Sequence, residues 1–338
     1  MASERPPVIT VEDLSIAVDI DTGLVPITSN VSFTIARGEV LALVCESGSG
    51  KSITALSLMQ LLGPNLSITS GRIALSAEDG FQAEIAALGK KGRGIEGIRG
   101  RHMGMIFQEP MSSFSPIHTI GAQIAEVVQV HEEASRQEAR ARAADLLGKV
   151  GIPDPHSALD RLPSEFSGGM RQRAMIARAL ICRPSLLIAD EPTTALDVTI
   201  QGQILELLRQ LQREFGMAIL FITHDLGIVA QMADRVAIMY SGHIVESGTV
   251  RDIFHRPVHP YTRALLDAVP RLGDLERGRR IRPISGAVPN IFEPPTGCRF
   301  HPRCGQAELP RCAESTPPRA TRGTHRADCI HAERMLSP

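Results

Sequence analysis

The sequence has no excess of charge of either sign: 36 Lys and Arg stand against 37 Asp and Glu, a formal net charge of -1 over 338 residues. Chains that grip nucleic acid usually carry a strong basic excess, so no nucleic acid is expected among the partners. Long apolar runs are missing as well. Stretches such as Val40–Cys45 and Met217–Ile222 are short, whereas a membrane span needs roughly 20 consecutive apolar residues. Any action at a membrane must therefore run through partners. Met1–Pro7 offers Ser, Glu, Arg and Pro but no apolar core of a secretory signal, so a cytosolic, thiol-reducing location is expected. What the chain does have is apolar content, 43%. That is enough to bury a large core, as one large domain with or without a smaller appendage.

Alternation over Val8–Ile16 and Val31–Ile35 predicts β-strands, and the continuous apolar run Val40–Val44 suits a strand buried on both faces. A Gly/Ser-rich loop and a helix over about 52–62 follow. Residues of about 78–102 are rich in Gly and in Lys90, Lys91, Arg93, Arg99 and Arg101, which reads as a solvated loop, with contact to an anionic surface as the other possibility. Met103–Phe107 predicts a strand. From about 112 to 162 the chain reads mainly helical, with Ala139, Ala143, Leu146, Leu147 and Val150 as a core-facing stripe. Parallel-sheet character returns in Leu186–Ala189 and Ala218–Thr223, separated by a helix over Ile200–Phe215. Val236–Tyr240 and His243–Glu246 read as a strand pair. After Pro270 the composition turns to Pro, Arg, Gly and Cys, and a domain boundary is placed there, giving 1–270 and 271–338.

The loop Cys45-Glu46-Ser47-Gly48-Ser49-Gly50-Lys51-Ser52 lies between a buried strand and a helix, the context a phosphate-binding loop requires. Glycines let successive N–H groups converge on phosphate oxygens, and the helix N-terminus adds partial positive charge. Lys51 suits the β/γ-phosphates of ATP and the Ser52 hydroxyl suits Mg²⁺. The loop opens on Cys45 where glycine is usual, which leaves a natural substitution, a replacement and a weakened site all open, and makes ATP binding potentially thiol-sensitive. Leu186–Glu191 is an apolar strand ending in two acids at the carboxyl edge of a parallel sheet, where such folds bind ligands. Asp190 suits the Mg²⁺ shell and Glu191 the attacking water. A plain strand followed by a helix cap is the bland reading of the same residues.

Phe166-Ser167-Gly168-Gly169-Met170-Arg171-Gln172-Arg173 is similar to the signature motif of ABC ATPases, and it stands just before the Asp190–Glu191 strand, where that family has it. Ser167 and the amides of Gly168 and Gly169 open a helix and make a second anion site. In the family this site faces the γ-phosphate held by another subunit. Gln108 in Phe107-Gln108-Glu109-Pro110 resembles the Q-loop, Ala195-Leu196-Asp197 the D-loop, and His224 in Thr223-His224-Asp225 the switch histidine. The resemblance covers about 8–270. It implies an α/β fold: a P-loop NTPase core of the ABC ATPase type with an antiparallel β-subdomain, a helical subdomain inserted at about 112–165 and a Cys-rich C-terminal extension. One departure concerns adenine: no aromatic ring lies between Val11 and Asn30, so Val18 or Ile20 supplies apolar contact only.

The tail narrows the resemblance. His255-Arg256-Pro257, His259-Pro260-Tyr261-Thr262 and Gly297-Cys298-Arg299-Phe300-His301-Pro302-Arg303-Cys304 look like the C-terminal extension of dipeptide, oligopeptide and nickel importer ATPases. The spacing Cys298-x5-Cys304-x7-Cys312-x16-Cys329 suits a four-thiolate centre but matches neither zinc-ribbon knuckles nor ferredoxin runs. The residues alone leave zinc, an iron–sulfur cluster and unligated thiols open; the resemblance implies a four-iron, four-sulfur (4Fe–4S) cluster with a structural role. His301 and His325 are possible substitute ligands, expected instead at the surface.

By resemblance, the chain is a peripheral ATPase on the cytoplasmic face of the inner membrane. It powers import of peptides by ATP-driven pairing with a second, homologous but different ATPase subunit, two transmembrane permeases and an extracytoplasmic solute-binding protein. Import of nickel or another small solute is the alternative. A soluble ABC ATPase of DNA repair or translation, and a non-hydrolysing regulatory subunit, are the rivals from outside transport.

Overall fold

The computed structural model describes residues 6–46, 48–108, 113–194, 196–269 and 283–336. Ser47, Glu109, Pro110, Ser112, Ala195 and Pro270, each belonging to a motif or boundary named above, lie outside the described residues. In chain order the strands are β1 (Pro7–Ile20), β2 (Gly23–Ala36), β3 (Val40–Val44), β4 (Leu66–Ser76), β5 (Gln82–Glu84), β6 (Met103–Ile106), β7 (Leu186–Asp190), β8 (Ala218–Thr223), β9 (Arg235–Tyr240), β10 (His243–Thr249), β11 (Arg319–Arg322) and β12 (His325–Asp328).

They form two sheets among the described residues, one antiparallel in the order β2-β1-β4-β5 and one mixed in the order β11-β12-β10-β9-β3-β8-β7-β6. The strands β6, β7, β8, β3 and β9 run parallel. Every residue of β3, β7 and β8 is buried, as their unbroken apolar runs require of strands covered on both faces. Successive side chains leave opposite faces. Leu187, Ala189, Ile219 and Phe221 therefore join one core under helices, while Leu186, Ile188, Leu220 and Ile222 join another beneath the antiparallel sheet. Each buried Leu, Ile or Phe side chain contributes about 1.5–3 kcal/mol.

The predicted core stripe Ala139, Ala143, Leu146, Leu147 and Val150 is buried. Its helix, Arg136–Lys149, is capped by Ser135, and the preceding helix Ile120–His131 by Thr119, both through side-chain oxygens. The first helix is shorter than predicted, Lys51–Leu58. The basic stretch after residue 78 is not simply solvated. It carries β5, a turn at Ile85–Ala87 and a helix at Arg93–Glu96. Lys90 donates to the carbonyls of Gly63 and Leu66, and Arg99 to those of Met59 and Gln60. Met59 and Gln60 stand just past the end of the helix Lys51–Leu58, where carbonyls lack intrahelical partners, and Arg99 supplies them.

The C-terminal segment adds to the main sheet. β12 pairs antiparallel with β10, Glu246 opposite Ala327, and β11 extends the edge. Periodicity did not reveal these strands because each is four residues long. No helix among the described residues is long and apolar enough to cross a membrane.

Candidate functional site

Four parallel neighbours, in the order β3-β8-β7-β6, end at the same edge of the sheet. Adjacent strands lie about 4.8 Å apart. The residues that follow them, the 45–52 loop, His224, Asp190–Glu191 and Gln108, are thereby gathered along one short line. A larger cleft of about 1280 Å³, lined by Arg37, His102 and Cys182, opens at the other ends of these strands and touches none of those residues.

In the loop, Gly48 and Gly50 take φ of +81° and +95°. A Cβ on Gly50 would also come within 2.8 Å of Thr28 Cγ2, so only glycine lets the loop lie against β2. Gly50 precedes the helix Lys51–Leu58, and no described side chain caps that helix. Its first N–H groups are left for an anion. Lys51 Nζ is parked on the Cys45 carbonyl at 2.8 Å and lies 3.7 Å from Glu191 Oε1. The Ser49 hydroxyl closes the loop on the Glu46 carbonyl at 2.7 Å.

Cys45 is 1% exposed, packed in the core beneath the antiparallel sheet, and keeps a negative φ. Burial pushes its thiol up to about 12, against the pull of Lys51. This corrects the expectation of thiol sensitivity: the group is inaccessible and stays protonated. Glycine has no φ to relieve here. Cys45→Gly should cost about 1–2 kcal/mol in urea unfolding, through lost burial and added chain freedom, without raising turnover. A gain in turnover would mark Cys45 as a defect of the loop.

Glu191 is the hub. Its Oε2 accepts from Gln108 Nε2 at 3.2 Å and from the Thr194 hydroxyl at 2.9 Å, and its Oε1 pairs with His224 Nδ1 at 3.1 Å. Burial opposes its ionisation, but the hydrogen bonds from His224 and Thr194, with the charges of His224 and Lys51, hold the carboxyl below its usual value. Against an ionised carboxylate, His224 Nδ1 is the donor. The Glu191 backbone is left-handed, φ +46°, a strained state that persists where the surrounding structure over-determines it. The Glu191 side chain is 11% exposed, that of His224 60%.

Asp190 is buried, which pushes its carboxyl up, while a hydrogen bond from Ser52 opposes the shift. Its Oδ1 has no partner among the described residues. Ser52, Gln108 and Asp190 line one cavity of about 450 Å³. A hydroxyl, an amide and a carboxylate with an unfilled lone pair form the hard-oxygen set that Mg²⁺ accepts while keeping positions for phosphate and water.

The signature residues are divided. Ser167 and Gly168 are exposed and Gly169 half-buried. Ser167 Oγ accepts from the Met170 N–H at 3.3 Å and caps the helix Gly168–Leu180. Asp197, also exposed, caps Val198–Phe215 by accepting from Ile200 N–H at 2.9 Å. Ile200 Cγ2 would lie 3.2 Å from a Cβ on Gly169, so these two helix starts are neighbours on one outward face. Gln172 stands apart. It is 2% exposed, and its amide donates to the Pro192 carbonyl. It ties the signature helix to the turn after Glu191 and offers nothing to solvent.

The four tail cysteines line one narrow cavity of about 10 Å³. Two of the sulfurs accept a backbone N–H, from Gln306 on Cys304 at 3.4 Å and from Glu308 on Cys312 at 3.3 Å. His259 Nε2, buried and without a partner among the described residues, lines the same cavity. Burial pushes Cys298 up to about 11 and raises Cys304 and Cys329, so on their own they remain thiols. All six cysteines are free. Among the described residues no group of three or more His, Cys, Asp or Glu is arranged to hold a metal ion. The donors of a sulfur-ligated centre are present without the closed geometry of an ion site. His325 is not at the surface: its Nε2 lies 2.8 Å from buried Glu246 Oε1. His301 is half-buried beside the Cys298 carbonyl.

The sequence gives no role to Thr194, and it presents Glu246 only as a strand end and Tyr261 and Arg303 only as parts of the C-terminal motifs. One signal was available for Arg303, because an acidic residue inside a phosphate loop, Glu46, requires a cationic neighbour.

Fold and site define a phosphate-loop ATPase of the ATP-binding cassette type. The ABC transporter family profile matches residues 28–194, and the profile of the oligopeptide/dipeptide transporter C-terminal region matches 245–312. A protein of Brucella abortus (strain 2308), provisionally named a peptide import ATP-binding protein, is 47% identical over 98% of this chain and 99% of its own. The dipeptide transport ATP-binding protein DppD of Bacillus subtilis (strain 168) is 46% identical over 95% of this chain and 94% of its own. The glutathione import ATP-binding protein GsiA of Escherichia coli (strain K12) is 50% identical over 85% of this chain but only 46% of that longer protein. Among solved structures, a component of an ABC transporter complex from Clostridium perfringens superposes with a TM-score of 0.62 at 26% identity, over 80% of this chain and 99% of that one. A dimeric bacterial ABC transporter cassette gives 0.61 at 26%, over 72% and 99%. The chain belongs to the ATP-hydrolysing subunits of the ABC transporter family, in the group that carries the oligopeptide/dipeptide C-terminal region.

Proposed function

We propose that this chain powers the import of short peptides, closing on ATP as one half of a nucleotide-sandwiching pair. The observation that carries the reading is the convergence of Lys51, Gln108, Thr194 and His224 on Glu191 at the mouth of the phosphate loop. Loop residues 45–52 take the phosphates of ATP, with Lys51 moving from the Cys45 carbonyl to the β/γ oxygens. Ser52, Gln108 and Asp190 would hold Mg²⁺, whose positive charge would offset that of the phosphates. Glu191 polarises the attacking water, and His224, released from its carboxylate, turns to the γ-phosphate. Ser167, Gly168 and Gly169, with Asp197 beside them, serve the nucleotide of the opposite subunit, and Gln172 holds their helix in register with Glu191.

The unit runs over 1–270, with a helical subdomain at about 112–165 and an extension over 271–338. Its partners are a second, different ATPase, two membrane permeases and an extracytoplasmic solute-binding protein, and it sits peripherally on the cytoplasmic face of the inner membrane. Peptide is the proposed cargo because the relatives carry peptide, dipeptide and glutathione import in their names. Cys298, Cys304, Cys312 and Cys329 would be the residues to hold a 4Fe–4S cluster, which would staple the extension. The reading is supported by the one cavity that the four cysteines line, the backbone donors on Cys304 and Cys312 and the unpartnered His259.

Mass spectrometry of the tagged protein from gently solubilised native membranes tests the assembly. Two multi-spanning permeases and a different ATPase are expected; recovery only in the soluble fraction, without permeases, would sink the transport reading. Iron and acid-labile sulfide in equal amounts are expected from anaerobically purified protein. Zinc without sulfide would replace the cluster.

A further inference from the structure

Between two of the tail cysteines lies Arg299-Phe300-His301-Pro302-Arg303. Phe300 lines the cysteine cavity, while Arg299 and Arg303 bond to Ser241 and Glu46 beside and within the phosphate loop. Arg303 forks onto the Glu46 carboxylate, Nη1 to Oε2 at 2.8 Å and Nη2 to Oε1 at 3.3 Å. Its side chain is 4% exposed. Nη1 also donates to the Tyr240 hydroxyl at 3.3 Å, and Nε to the Ser285 carbonyl at 3.1 Å. Phe300 packs edge-on against Tyr240 and beside Tyr261, whose hydroxyl accepts the Glu46 N–H at 3.1 Å. Arg299 Nη1 holds the Ser241 carbonyl at 2.7 Å. The next residue, Gly242, donates its N–H to the Ser49 carbonyl at 3.0 Å. Only glycine fits there, since a Cβ would fall 2.1 Å from the Ile27 carbonyl oxygen. Glu46 is thus held at both its N–H and its carboxylate, and Ser49 at its carbonyl, by the extension and what it packs on.

We propose that Arg303 is a positioning residue of the phosphate loop, reaching in from the extension to neutralise Glu46 and hold the loop ready for nucleotide. The inference rests on the reading that residues 45–52 hold the phosphates of ATP. An uncompensated carboxylate within an anion-binding loop repels the incoming phosphates through a partly desolvated medium. A loop ordered beforehand also spares the bound state the cost of ordering it. Both effects act on nucleotide affinity and leave the hydrolytic step, built around Glu191, largely alone. A clamp that merely docked the tail would change stability without changing affinity.

The test titrates a fluorescent ATP analogue into the full chain and follows steady-state ATPase kinetics, with thermal melting as the check on folding. Arg303→Met keeps the stem over Tyr240 but removes the charge. It is expected to raise the Kd and KM for ATP by about tenfold, the size of one charge-assisted contact, with kcat within about twofold. Adding Glu46→Gln to Arg303→Met removes the stranded carboxylate and is expected to recover most of the lost affinity. Arg303→Lys, which restores the charge without the fork, should lie close to wild type and covers the case in which Arg303→Met does not fold. Affinity unchanged in a folded Arg303→Met, or a double variant no tighter than the single, overturns the proposal. Lys51→Ala, measured alongside, separates the two claims: if it binds ATP like wild type, the loop reading itself fails.

Discussion

Glu191→Gln is expected to cut ATP turnover by about 10²–10⁴-fold, the usual worth of a positioned general base, while leaving ATP binding intact. The amide keeps the shape of the side chain and can still accept from Thr194. It loses the charge that draws His224 and Lys51 toward Glu191. With water no longer polarised, closed pairs accumulate, so size-exclusion chromatography with ATP should show a stable dimer, and phosphate release should be nearly absent. Unaltered turnover would remove Glu191 from its role. The pH dependence carries a matching sign. Because its hydrogen bonds hold Glu191 below the usual carboxylate value, it keeps its charge further into acid than an ordinary glutamate does. A fall in turnover between pH 5 and 6 would therefore report some other group.

The second large effect is on stability. Glu246→Ala should cost about 3–5 kcal/mol, because removing one partner of a buried charged network strands the rest. Glu246, 1% exposed, accepts from the Val258 N–H, the His259 N–H and His325 Nε2, each at 2.8 Å. Its strand β10 is also where the extension's β12 attaches, Glu246 opposite Ala327. Three donors from two segments meet on one carboxyl group, and no water can reach them to compensate. Urea unfolding should show the loss, and limited proteolysis should release the extension first. Glu246→Gln, which keeps one acceptor oxygen, should be milder. A loss below about 1 kcal/mol for the alanine would mean that these bonds contribute little net stability.

Much of the candidate site was legible because its parts are contiguous. A phosphate loop, an acid pair after an apolar strand and a histidine after the next strand each need only a few neighbouring residues to be recognised. The parallel order of the strands does the rest, since it delivers all their ends to one edge. The illegible parts are of another kind. The backbone staples made by Lys90 and Arg99 looked like a solvated basic face, because charge in a sequence does not reveal which carbonyls lie nearby. Gln172 stood inside a recognised motif, yet its helix turns it inward onto Pro192. His325 looked like a surface residue in a polar tail, and only the pairing of β12 with β10 buries it.

By itself the sequence determined which loop has the pattern to cradle phosphates, which strand ends carry the acids, where the signature helix begins, and that a thiol-rich tail follows. Those features depend on local spacing and burial periodicity, which a linear string preserves. Tertiary structure alone decided that Cys45 is a sealed core residue, that the tail continues the cassette's own sheet, and that Arg303 meets Glu46 across 257 positions of chain. No local propensity encodes a pair so distant. Their contact exists because the sheet brings the two segments together and the energy of burying one charge requires the other beside it.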